Sequence, residues 1–160
     1  WKTRGKRMDE MIVIIRGLAA GGYFSYEGKH YTIPPIKMCP TPTKPIPILI
    51  GGHAEAALAR AARTGDGWMF AGGKPEELAT CLARLDVLRK EHGRENLPFT
   101  IYATSIDAFS LDGVKRLEDQ GVTDLIVGFR NAYTDQQDTQ PLDVKLAAMK
   151  RYADKILAKL

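Results

Sequence analysis

The residues best placed to do chemistry in this 160-residue sequence are Gly51-Gly52-His53, which stand where a short apolar run gives way to an alanine-rich helical one. Glycines at such a junction let the backbone approach an anion closely, and the helix that follows offers free N–H groups and the positive end of its dipole. That chemistry suits a phosphate, although a tight unliganded turn fits the same residues. The segment is not a dinucleotide fingerprint, because no third glycine follows at the required spacing. His53 falls at the expected helix N-cap, where a neutral imidazole caps poorly and a charged one opposes the dipole. Ligand contact and simple exposure are the readings that remain for it.

Two further groups follow apolar runs in the same way. Ala71-Gly72-Gly73 leaves room for a ligand, and Arg130, beside Asn131, could bind a carboxylate or phosphate bidentately. Gly65-Asp66-Gly67-Trp68 offers a carboxylate between glycines, but it precedes an expected strand, on the side of a parallel sheet away from chemistry. Asp66 therefore reads as a turn residue bonded to backbone donors rather than as a catalytic acid. No Ser/His/Asp set, nucleophilic cysteine or carboxylate pair can be assembled, and His30, His53 and His92 are too dispersed to hold a metal. Cys39 and Cys81 match no metal or redox spacing. Cys81 falls on the apolar face of an expected helix and reads as a small hydrophobe, compatible with a reducing cytoplasm.

The elements that must position these residues follow from periodicity. Met8, Met11, Ile12, Ile15 and Leu18 predict a helix over residues 4–20, stopped by Gly21-Gly22. Two aromatic, β-prone runs flank Glu27-Gly28 and predict a tight hairpin within residues 23–33. Residues 34–47 hold six prolines and predict an extended surface connection. Strands are then expected at 46–50, 67–70, 99–104 and 125–129. Helices are expected at 54–63 and 75–92, from Leu111 toward Gly121, and from Leu142 to Ile156. The strands are continuously apolar, as in a parallel sheet covered on both faces. Four such units form either a small open sheet or half of an eight-unit barrel, and composition does not choose between them.

Bulk properties narrow the function classes. With 44% apolar and 26% charged residues the chain is a folded one, and no run approaches the roughly 20 apolar residues of a membrane span. No leader is visible in a sequence that opens at Trp1 rather than Met. The net charge of +4 gathers in the opening and closing segments, where it reads as solvated helix faces. Without aromatic interleaving or a zinc or helix-turn-helix signature, nucleic-acid binding is set aside.

Taken in order, several segments resemble the luciferase-like monooxygenase superfamily, especially its deazaflavin-dependent branch. They are Arg7-Met8-Asp9-Glu10, Phe24-Ser25-Tyr26-Glu27-Gly28-Lys29-His30-Tyr31, Pro45-Ile46-Pro47-Ile48-Leu49-Ile50-Gly51-Gly52, and Ala61-Ala62-Arg63-Thr64-Gly65-Asp66-Gly67-Trp68. The match is firm to about residue 72; residues 73–160 agree in strand–helix rhythm. The resemblance implies an α/β fold, the C-terminal half of a (β/α)8 barrel. It would form one partial-barrel domain over 1–160, with a leading helix (1–20), a hairpin and Pro-rich insertion (21–45) and four βα units (46–160). It implies an oxidoreductase binding a deazaflavin (coenzyme F420) or FMN, acting on a small organic substrate.

Ile50, Gly51, Gly52 and His53 would lie toward the cofactor phosphate, and Ala71, Gly72 and Arg130 toward the substrate. The family's first four strands, which carry most of its catalytic side chains, have no counterpart in these residues, so no catalytic residue is assigned. An open half-barrel would leave side chains such as Ile48, Ile50, Met69, Phe70 and Val127, or their neighbours, facing an unfilled interior, which predicts a homodimer or higher homo-oligomer. An unrelated α/β phosphate-binding module would instead show four strands and no hairpin at 23–33.

Overall fold

The computed structural model describes residues 2–130 and 137–160. Helix α1 (Arg4–Ala19) ends where Gly21 and Gly22 take φ of +86° and +79°, a region open to glycine but costly to other residues. Strands β1 (Phe24–Glu27) and β2 (Thr32–Ile36) pair antiparallel, so the expected hairpin is present. Its tip is clamped to α1 by Glu10, whose carboxylate accepts the successive backbone N–H groups of Lys29, His30 and Tyr31 at 3.0–3.2 Å. One expectation is corrected here, because Pro34 and Pro35 lie inside β2 and not in an irregular connection. The two-stranded ribbon leaves each strand one unpaired edge, where a missing proline N–H costs no ladder bond.

The remaining chain alternates strand and helix: β3 (Leu49–Gly51), α2 (Glu55–Thr64), β4 (Gly67–Phe70), α3 (Pro75–Glu91), β5 (Thr100–Ala103), α4 (Leu111–Asp119), β6 (Asp124–Leu125) and α5 (Leu142–Lys155). The four strands are parallel and stand in the order β3-β4-β5-β6. Strands taken up one after another, without the order reversal of a doubly wound sheet, describe an arc of a (β/α) barrel. Three differences from the sequence reading appear, the first being that the strand expected at 46–50 is paired only over Leu49–Gly51. A short 3₁₀ turn, Ile106–Phe109, precedes α4, which is capped by the Ser110 hydroxyl accepting from the Gly113 N–H at 3.1 Å. The last strand is paired only over Asp124–Leu125, not over 125–129, although the Ile126 N–H still reaches the Ala103 carbonyl at 2.9 Å.

Register assigns the two faces of the sheet. Ile50, Trp68 and Ile101 form one row and Phe70, Ala103 and Leu125 the next, and all join the core beneath α2 and α3 with Leu58, Leu78 and Leu85. Gly51, Met69, Tyr102 and Asp124 form the row on the opposite face. This corrects the expected interior-facing set. Side chains alternate with a period of two, so Met69 and Phe70 cannot share a face. Ile48, Ile50 and Phe70 pack toward the helices, Val127 borders a cleft beside α5, and Met69 alone of the five stands on the open face. Among the described residues, no helix is long and apolar enough to cross a membrane.

Candidate functional site

Gly51 closes β3, and a Cβ built on it would meet nothing within 4 Å, so the protein itself leaves open space there. Gly52 has φ +116°, and a Cβ on it would stand 3.1 Å from the Ala57 methyl. Its carbonyl accepts the Trp68 indole N–H at 2.9 Å. The N-cap of α2 is Ala54, which corrects the expectation that His53 would occupy that position; no side chain caps the helix. Among the described residues no acceptor meets the backbone N–H groups of Glu55 and Ala56, as is usual for the first N–H groups of a helix unless something outside it accepts them.

The His53 side chain turns onto the face of Phe70, with ring centroids 4.5 Å apart and planes 12° from parallel. Its Nδ1 lies 2.9 Å from Glu77 Oε1, and Glu77 stands in the first turn of α3. Glu55 opens α2 and is gripped by Arg84, whose Nη2 and Nε donate to Oε1 at 2.6 and 3.0 Å. The hydrogen bond from Arg84 holds the Glu55 carboxyl below the usual carboxylate range, against a smaller opposing effect of burial. That pairing compensates the one acidic side chain in the first turn of α2, where an anion would otherwise meet a like charge.

The second glycine loop adjoins the first. Gly72 and Gly73 have φ of +109° and +149°, and a Cβ on Gly73 would collide with the Glu77 carboxylate and the Phe70 ring. The structure thus brings Gly51, Gly52 and His53 together with the loop of Ala71, Gly72 and Gly73 through the shared contacts of Phe70 and Glu77. Arg130 stands after β6, at the other edge of the sheet, with Nη1 3.5 Å from Asp138, which Lys145 also approaches at 2.7 Å. Asn131 lies outside the described residues.

Asp66 takes the structural role read for it. Its Oδ2 accepts the Ile48 N–H at 2.8 Å and Arg16 at 2.9 Å, while its backbone bonds both Ile48 and Thr100 on the N-terminal side of the sheet. Cys81 is buried in the core, and burial pushes its thiol up, with Glu77 adding to the effect. Among the described residues no cluster of His, Cys, Asp and Glu could hold a metal ion. Three clefts open away from the glycine loops: about 460 Å³ between α3 and α4, about 540 Å³ between the end of α1 and the proline segment, and about 1200 Å³ between β6 and α5.

Sequence reasoning missed Trp68 and Glu77. Trp68 was named in the Gly65–Trp68 segment without a role of its own, and nothing in the sequence says which carbonyl a buried indole will choose. Glu77 reads locally as a favourable first-turn acid, while its partner His53 is 24 residues away.

Residues 1–157 match the luciferase-like monooxygenase family. The chain is 55% identical over 157 residues to uncharacterized protein Rv0940c of Mycobacterium tuberculosis, covering 98% of this chain and 54% of that protein. It is 36% identical over 77 residues to an F420-dependent glucose-6-phosphate dehydrogenase of Microbacterium testaceum, covering 48% of this chain and 23% of that enzyme. Among solved structures, the coenzyme F420 dependent tetrahydromethanopterin reductase from Methanopyrus kandleri superposes with a TM-score of 0.67 at 15% identity, over 78% of this chain and 57% of that one. The chain spans about half the length of the curated relatives that match nearly all of it.

Proposed function

The chain belongs to the luciferase-like monooxygenase family, with the fold of the C-terminal half of its barrel, and from that premise we propose that it is the cofactor-phosphate half of a deazaflavin-dependent oxidoreductase. The cofactor would be coenzyme F420, held with its phosphate against the backbone of Ile50, Gly51, Gly52 and His53 and the first turn of α2. F420 is favoured over FMN by the F420 dependence of the named relatives. The observation that carries the reading is the junction itself. Gly51 faces open space, Gly52 adopts a conformation suited to glycine, and among the described residues no acceptor meets the N–H groups of Glu55 and Ala56. Together these suit a phosphate.

When bound, the deazaflavin supplies hydride chemistry, and the protein supplies orientation and electrostatics. Ala71 and Gly72, next to the phosphate loop, leave room for a small organic substrate, and Arg130 would meet an anionic group of that substrate from the β6 side. The unpaired cysteines suit the cytoplasm as the compartment.

Isothermal titration of F420 into the 160-residue chain and its Gly51→Val variant tests the assignment. The valine should weaken binding by an order of magnitude or more, because it fills the space intended for the phosphate. Equal affinity in the two proteins removes the assignment.

A non-catalytic half-barrel is the second reading, because His53 and Glu77, the titratable pair beside the glycine loops, are bonded to each other and no catalytic residue is assigned. Turnover with F420 and a reductant separates the two. In either case β3 and β6 each have a strand neighbour on one side only, and we propose that two or more copies associate to cover those edges and the open face. Light scattering from the chain alone should exceed its 17.7 kDa monomer mass; a clean monomer at micromolar concentration, with a cooperative melt, removes that proposal.

A further inference from the structure

The peptide that joins Gly52 to His53 is held at both ends. Its carbonyl accepts the indole N–H of Trp68, a side chain fully enclosed by the core. At its other end the His53 imidazole lies flat on Phe70 and bonds Glu77. The peptide is trans, since the one cis bond among the described residues is Cys39–Pro40. In a planar trans peptide the C=O and N–H point in opposite directions. With the carbonyl turned to the indole, the His53 N–H is turned away from it, and among the described residues no acceptor meets that N–H. It stands in sequence just ahead of the uncommitted N–H groups at the start of α2.

A buried indole requires an acceptor, and many carbonyls could have served. The one chosen belongs to the residue between the end of β3 and α2, and Gly52 can offer it because its φ of +116° suits glycine. We propose that Trp68 is a positioning residue for the anion loop. By anchoring the Gly52 carbonyl it presents the His53 N–H to the phosphate of the cofactor. Glu77 supports the same peptide from the other side by fixing the His53 ring. The inference rests on the deazaflavin reading above, and adds to it a residue that acts through a backbone group without touching the ligand.

Trp68→Phe keeps an aromatic ring in the core and deletes the donor together with part of the indole's buried volume. The expected result is about tenfold weaker F420 binding by calorimetry, the scale of one charge-assisted hydrogen bond. In the ¹⁵N-labelled wild-type chain the His53 amide should shift downfield on adding F420, and in Trp68→Phe that shift should shrink. Glu77→Ala should weaken binding about threefold, and Glu77→Gln should restore it, because an amide oxygen still accepts the imidazole N–H.

A folded Trp68→Phe that binds F420 as the wild type does, with its His53 amide shifted alike, overturns the proposal. Should that variant not fold, the wild-type His53 amide decides: unmoved by saturating F420, it overturns the proposal equally. Binding that survives Gly51→Val removes the phosphate site and this inference together. Binding that is lost in Gly51→Val but untouched in Trp68→Phe removes only the role of Trp68.

Discussion

Around β4, the side chains of Trp68, Phe70, Leu78 and Leu85 are each no more than 2% exposed, whereas α5 contains no buried residue and leaves Leu142, Leu146 and Met149 more than half exposed. The first sector has a strand on either side of β4 and two helices packed against each other above it. The second hangs on a two-residue edge strand, with a cleft of about 1200 Å³ between β6 and α5. There α5 is tied down by Lys145, 2.7 Å from Asp138, and by Tyr152, whose hydroxyl donates to the Ala108 carbonyl at 3.1 Å and whose ring meets Phe109 and Phe129 edge to face. The contrast places the candidate phosphate loop on the well-packed sector, as a site that must hold several N–H groups in a fixed direction requires. Arg130, proposed above for the substrate side, stands on the open sector.

That division predicts unequal costs for equal deletions, and this is the largest effect expected. Leu85→Ala removes a side chain 2% exposed and should cost about 3 kcal/mol of stability through lost burial and a residual cavity. Met149→Ala, at a position 54% exposed, should change stability by less than about 0.5 kcal/mol. Denaturant melts of the two variants measure both. Similar costs would show that α5 is as firmly packed as α3, and the contrast between sectors would collapse.

Within the loop itself the two glycines should separate. Gly52→Ala puts a side chain on a backbone at φ +116° and against the Ala57 methyl, so it should cost more than about 1 kcal/mol. Gly51→Ala meets no protein atom and should melt as the wild type does. A destabilised Gly51→Ala would mean that the protein, and not a ligand, explains the glycine there.

Asp66 gives a smaller effect of the opposite kind. The carboxylate fastens the entry to β3 through Ile48 and ties α1 to it through Arg16. Asp66→Asn should lower stability by about 1 kcal/mol while F420 affinity stays near the wild-type value. Lost binding at unchanged stability would put this loop on the wrong end of the sheet.

How far the sequence disclosed this arrangement depended on whether the signal was local. The strand Gly67–Phe70 and the helix Pro75–Glu91 were readable almost to the residue, because an apolar run, a proline at the first turn and a one-sided row of leucines are all contained in the element. The end of the sheet was not. Leu125 to Phe129 has a strand's composition, but pairing also needs a neighbour, and past Ala103 the β5 side offers none beyond the single bond to Ile126. Sidedness failed for a related reason: apolar residues on every position of β4 hide the alternation that register reveals. At the site, the glycine pair was visible as a type and spacing, whereas the Trp68–Gly52 and His53–Glu77 bonds join residues 16 and 24 apart and leave no local trace.

The smallest effect expected concerns Arg84, and it tests whether charge around α2 is arranged for an anion. Glu55 in the first turn favours the helix by the dipole but repels an anion at the same N-terminus. Its Arg84 partner holds the folded carboxyl below its ordinary value. Any stability from this pair is therefore present above the unfolded-state value and is lost as pH falls through the lower folded one. Both groups are largely solvated, so the pair contributes little to the melt. In Arg84→Gln the Glu55 carboxyl should titrate nearer its ordinary value while remaining ionised at pH 7. Its charge would then be uncompensated beside the free N–H groups, and F420 affinity should fall by up to about threefold at low salt. The loss should fade as ionic strength rises and screening shortens the reach of an exposed charge. NMR titration of the Glu55 side chain and calorimetry at two salt concentrations provide the measurements. A Glu55 carboxyl that titrates unchanged, or an affinity loss that persists undiminished in high salt, would show that Arg84 acts by packing and that the first turn of α2 is not tuned for a negative ligand.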